Sequence, residues 1–125
     1  YLYMGIVIDL LIDLKNTSNS SEIYNNIETL ALDNLCKNIN VIYESEGINH
    51  CIKKNNMIIE IKFIYEINLA KFIKNIKNYR LAKIDAIYYE ENIKFLYYSK
   101  NYNNNQSACQ FNSIKDVLYY LSNFS

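Results

Sequence analysis

The chain has no proline, no tryptophan, two glycines, one histidine and one arginine among its 125 residues. Each shortage removes a class of chemistry. Walker-type and G-x-G-x-x-G loops cradle phosphates with closely spaced glycines, and neither Gly5 nor Gly47 stands in such a pattern. Nucleotide hydrolysis of that kind is set aside. Cys36, Cys51 and Cys109 are odd in number and form no C-x-x-C pair, so a reducing, cytoplasmic setting is expected rather than a disulfide framework. No apolar run reaches the ~20 residues of a membrane span. The N-terminal run carries Asp9 and Asp13 without a basic leader, unlike a signal peptide, and no membrane partner is expected.

What is abundant is isoleucine, asparagine, tyrosine and lysine. All have A/T-rich codons, which points to an A/T-rich genome and leaves asparagine runs and lysine-for-arginine choices without need of a functional cause. A chain of this length, 50% hydrophobic, suits one domain around one core. Net charge is zero but bipolar. Residues 1–52 hold seven acids and two bases, and residues 53–125 hold eleven bases and six acids. Such polarity favours docking on a charged partner or head-to-tail self-association.

The strongest pattern runs from Ile39 to Phe63. Tight turns at Glu46-Gly47 and Asn55-Asn56 would fold it into a three-strand meander over 39–65. Ile39, Val41, Tyr43, Ile48, His50, Ile52, Ile59, Ile61 and Phe63 would then share one face. A hairpin follows over 83–99, turning at Glu91-Asn92, with Ile84, Ala86, Tyr88, Ile93, Phe95 and Tyr97 on one face. Helical spacing predicts three amphipathic helices at 20–38, 68–80 and 113–124. Asn19 with Glu22 forms a capping box for the first, and Asn68 caps the second.

Tyr1 to Leu14 reads as a strand with Met4, Ile6, Ile8, Leu10, Ile12 and Leu14 on one side, or as a buried helix with a narrow polar stripe. The β-branched Ile6-Val7-Ile8 favours the strand. The Asn-rich stretch 100–110 reads as a mobile loop. Together these elements predict a single α+β domain, a two-layer sandwich with an antiparallel sheet of about five strands and helices on one face.

Candidate chemistry is sparse. His50 and Cys51 are adjacent on a predicted strand and point to opposite faces, so His50 reads as a core histidine rather than half of a Cys–His pair. Asp9 and Asp13 could begin a metal-dependent hydrolase, since paired carboxylates hold Mg²⁺ and activate water. No second acidic motif of suitable spacing follows, so neither a metal nor another cofactor is expected. Lys71, Lys74, Lys77 and Arg80 could contact nucleic-acid phosphates, although lysines on a helix exterior ordinarily just solvate it.

The last hairpin would expose Ile87, Tyr89, Leu96 and Tyr98 together, edged by Asp85 and Lys94. An aromatic-aliphatic patch with a charged rim has the anatomy of a protein interface. The sequence therefore predicts a non-enzymatic protein-protein interaction module, a small subunit or regulator, with a protein partner or a homo-oligomer. A nucleic-acid or ribonucleoprotein-bound factor is the alternative, and the hydrolase a more distant one.

Overall fold

The strand at the centre of the sheet is β1, Ile6–Asp13. Ile6, Val7, Ile8, Leu10, Leu11 and Ile12 make it apolar on both faces, as suits a strand flanked by neighbours and buried on each side. In the computed structural model, which describes residues 5–14, 19–46, 55–99 and 111–123, seven further elements follow. They are α1 (Ser20–Asp33), β2 (Asn38–Glu46), β3 (Asn55–Phe63), α2 (Glu66–Ile76), β4 (Ala82–Tyr89), β5 (Lys94–Tyr98) and α3 (Ile114–Asn123). The five strands form one sheet in the order β2-β3-β1-β4-β5, with every neighbouring pair antiparallel. The fold is the expected two-layer α+β sandwich.

The core lies between one sheet face and the helices. Ile6, Ile8, Leu10 and Ile12 of β1 and Met57, Ile59, Ile61 and Phe63 of β3 are buried against Ile23, Ile27 and Ala31 of α1 and Leu69, Phe72, Ile73 and Ile76 of α2. Burying side chains of this size contributes roughly 1.5–3 kcal/mol each. Phe63 and Phe72 join sheet to helix with ring centroids 5.4 Å apart. The alternation expected for Ile6 to Leu14, and for Ile59, Ile61 and Phe63, is the one observed.

Two expectations change. β2 pairs directly with β3, Ile39 opposite Ile61 and Val41 opposite Ile59, so no third strand runs between them. Asn55 and Asn56 belong to β3 rather than to a turn, and the fifth strand is β1. The Glu46-Gly47 turn, His50, Cys51 and the 100–110 loop lie outside the described residues. Helix ends also move. Asn19 does cap α1, its Oδ1 accepting from the Glu22 N–H at 3.1 Å while its amide donates to Glu22 Oε1 at 2.8 Å. However, α1 stops at Asp33 instead of reaching 38, because Leu35 takes φ 61°. That left-handed residue sends the Cys36 N–H to Ala31 O and its own N–H to Leu32 O, a Schellman closure. α2 starts earlier than expected, at Glu66 after Tyr65, with Asn68 inside the helix.

α3 is unusual: Ile114 to Leu121 all have φ between 43° and 55°, a left-handed turn. That hand costs an L residue about 1–2 kcal/mol, and neither the glycine-free sequence nor the packing of Ile114 and Val117 supplies a reason for it.

Candidate functional site: the helix-free sheet face

Odd-numbered β1 residues point away from the helices. Strand register assembles the far face in rows. One row crosses all five strands as Asn40, Glu60, Asp9, Ala86 and Tyr98. Its neighbour runs Asn38, Lys62, Val7, Tyr88 and Phe95. Among the described residues no helix lies on this side, yet Val7, Asp9 and Ala86 are all buried.

The cover is aromatic. Tyr88 Oη donates to Glu60 Oε2 at 3.4 Å. Because β1 lies between β4 and β3, that phenol must pass over β1, and it thereby shields Val7 and Asp9. Tyr88, Phe95 and Tyr98 then make a run of rings, with centroid separations of 5.2 and 5.7 Å. Both distances fall in the range in which tilted and edge-on aromatic pairs attract.

Beneath this cover Asp9 is only 4% exposed, and its Oδ1 is fully buried with no hydrogen-bond partner among the described residues. Burial pushes its carboxyl from 3.8 up to about 7, and the negative charges of Glu60 and Asp85 add to the rise. Asp85 is the extra residue of a β-bulge, since Asp9 pairs with Ala86 and Leu10 already with Ile84. Its own carboxyl is pushed up by burial and held back by Ser99, whose hydroxyl donates to Oδ1 at 2.8 Å. The Ser99 N–H also donates to the Asp85 carbonyl at 2.8 Å, which fixes the bulge. Nearby, Lys62 is tied to Glu90 at 2.5 Å rather than to the carboxylate row. A cleft of about 340 Å³ opens beside the bulge, walled partly by Lys77, Lys83, Asp85 and Ser99.

The expected patch is split between the two faces. Ile87 and Leu96 are 1% and 0% exposed, in the helix-side core rather than on an outward surface. Tyr89 is also on the helix side, where its hydroxyl donates to Glu66 Oε2 at 3.5 Å at the start of α2. Lys94 is exposed opposite Tyr89, and Tyr98 lies on the far face. The cause is a pair of bulges, at Asp85 in the β1–β4 ladder and at Leu96 in the β4–β5 ladder, each of which shifts side chains by one position.

Lys71 and Lys74 stand exposed on the outer face of α2, Lys77 is half-buried at its end, and Arg80 is exposed beyond it. Asp9 and Asp13 lie four residues apart on one strand, about 13 Å at the usual rise, too far to share a cation. Among the described residues no group of three His, Cys, Asp or Glu side chains is arranged to hold a metal, and no helix is long and apolar enough to cross a membrane.

Sequence reasoning missed Glu60, Asp85 and Tyr88 as the surroundings of Asp9. One signal was available: an acid in the middle of a strand apolar on both sides is an acid buried by its neighbours. Compared with protein-family models, with curated proteins and with solved structures, the chain has no match.

Proposed function

We propose that this chain is a non-enzymatic protein-interaction module that docks through the helix-free face of its sheet. The observation that carries the reading is the ring sequence Tyr88–Phe95–Tyr98 beside the Asn40–Glu60–Asp9 row, on a face that no described helix covers. Aromatic rings give a large contact area at a small cost in rotamer freedom, and interface hot spots concentrate in them. Polar groups around them set register and exclude wrong partners. The partner is a protein that packs on the face no described helix covers.

The test is capture of partners from native material by the wild-type chain and by Tyr98→Asp, with melting temperatures measured in parallel. The wild type retains a partner, and Tyr98→Asp loses it without loss of fold. If Tyr98→Asp and Phe95→Ser both retain every partner of the wild type, the reading is wrong.

A further inference from the structure

The helix-free face contains a feature that a purely apolar docking surface would not need. Asp9 sits directly across from Glu60 on β3, and the bulge brings Asp85 to its other side on β4. One oxygen of Asp9 is buried and unpartnered. A lone buried acceptor is costly, because it has lost water and gained nothing in return. The nearest basic residue of the row behind it, Lys62, is already paired with Glu90. The niche therefore gathers the carboxyl groups of Asp9, Glu60 and Asp85 beside the rings of Tyr88 and Phe95.

We propose that this niche receives one basic side chain, an arginine guanidinium or a lysine ammonium, carried by the protein partner, which inserts between Asp9 and Glu60 and packs against Tyr88 and Phe95. The proposal rests on the docking reading above and specifies the chemistry of the partner. A guanidinium suits the geometry better than a metal ion. Its forked donors reach carboxylates on neighbouring strands through hydrogen bonds, whereas no three described acids converge as a metal needs. Its planar face stacks on phenyl and phenol rings. Entry requires the Tyr88 phenol to swing off β1, with the incoming cation replacing the Tyr88 hydroxyl at Glu60. A second copy of the chain fits less well. Its exposed Lys71 and Lys74 lie on the outer face of α2, and that surface meeting the sheet face is a head-to-tail contact, which cannot form the two-fold dimer that is the commonest assembly.

The experiment uses a synthetic peptide pool with arginine fixed at the centre and randomised flanks, against the same pool with citrulline at that position. The folded chain retains the arginine pool at least about tenfold better than the citrulline pool. Asp9→Asn combined with Glu60→Gln abolishes the difference, and Asp13→Asn, at the exposed strand end, leaves it intact. Tyr88→Phe keeps the preference, because it removes the bond to Glu60 that the ligand displaces and keeps the ring. Asp9→Asn alone raises the melting temperature above neutral pH while weakening retention, an opposition that a merely structural aspartate would not produce. Equal retention of the two pools overturns the proposal, as does a preference that survives the double substitution. Salt-sensitive self-association in sedimentation, abolished by Lys71→Glu with Lys74→Glu, also overturns it in favour of a second copy. If native partners are lost in Tyr98→Asp while the two pools bind alike, docking stands and the cation niche falls. If native partners are indifferent to Tyr98→Asp while arginine dependence persists, docking through the ring run falls and the niche stands.

Discussion

Tyr88 on β4 donates its hydroxyl to Glu60 on β3, across the strand that lies between them. One side chain thus bridges three strands and roofs Asp9, the buried acid at the centre of the sheet. At 3.4 Å the bond is long, so it orders the face more than it stabilises it. Its geometry accounts for part of the burial of Val7 and Asp9 on a sheet face that no described helix covers.

Stability should fall as pH rises from about 4 to about 7. The folded Asp9 carboxyl keeps its proton to about pH 7, whereas the unfolded chain releases it near 3.8. Between those values the folded state binds more protons, so deprotonation favours unfolding, with a loss of about 4 kcal/mol as an upper bound. Burial is the main cause, and the charges that add to it are those of Glu60 on β3 and Asp85 on β4. Urea titrations at pH 5 and pH 8 measure the effect. Asp9→Asn should flatten the difference, and an unchanged slope would show that another group is responsible.

Substituting Ile87 and Leu96 of the last hairpin tests the face inversion. Ile87→Ala and Leu96→Ala should each cost about 2–5 kcal/mol, as for large core residues, because both are essentially unexposed. Tyr98→Ala should cost clearly less. Denaturant midpoints for the three variants decide the matter. If Ile87→Ala and Leu96→Ala cost under 1 kcal/mol, the unbulged register is the correct one.

Leu35 should be replaceable by glycine with a gain. It holds φ 61° at the end of α1 and is 71% exposed, so its side chain contributes little burial while its Cβ strains the left-handed backbone. Glycine relieves that strain, against some added freedom of the unfolded chain. The net gain should be about 0.5–1 kcal/mol, read as a rise in melting temperature. Leu35→Val should move it the other way.

Gly5→Ala should be cheap. A Cβ there would meet Lys62 Cε, and it would lie 2.9 Å from Glu90 Oε1. Both belong to flexible ends of a partly exposed ion pair. Moving that pair should cost below about 1 kcal/mol, the range of surface pairs, and the loss should shrink in high salt. A loss of several kcal/mol would mean that the backbone itself gives way.

Sequence alone located the three helices and the last hairpin to within a few residues and, inside each unbroken strand or helix, which side chains share a face. β1 was legible from Ile6, Ile8, Leu10 and Ile12, the cap of α1 from Asn19 and Glu22, and the inner stripe of α2 from Leu69, Phe72, Ile73 and Ile76. These patterns are local: a period of two or 3.6 and a capping side chain act within a few residues. Only the tertiary structure decided that β1 takes the middle of the sheet, that β2 pairs directly with β3, and that bulges at Asp85 and Leu96 turn Ile87 inward. Strand order and bulges depend on partners far away in sequence, and a one-residue shift exchanges the two faces without altering the local pattern. The burial of Asp9 between Glu60 and Asp85 follows from that same pairing, so its chemistry belongs to the assembled sheet.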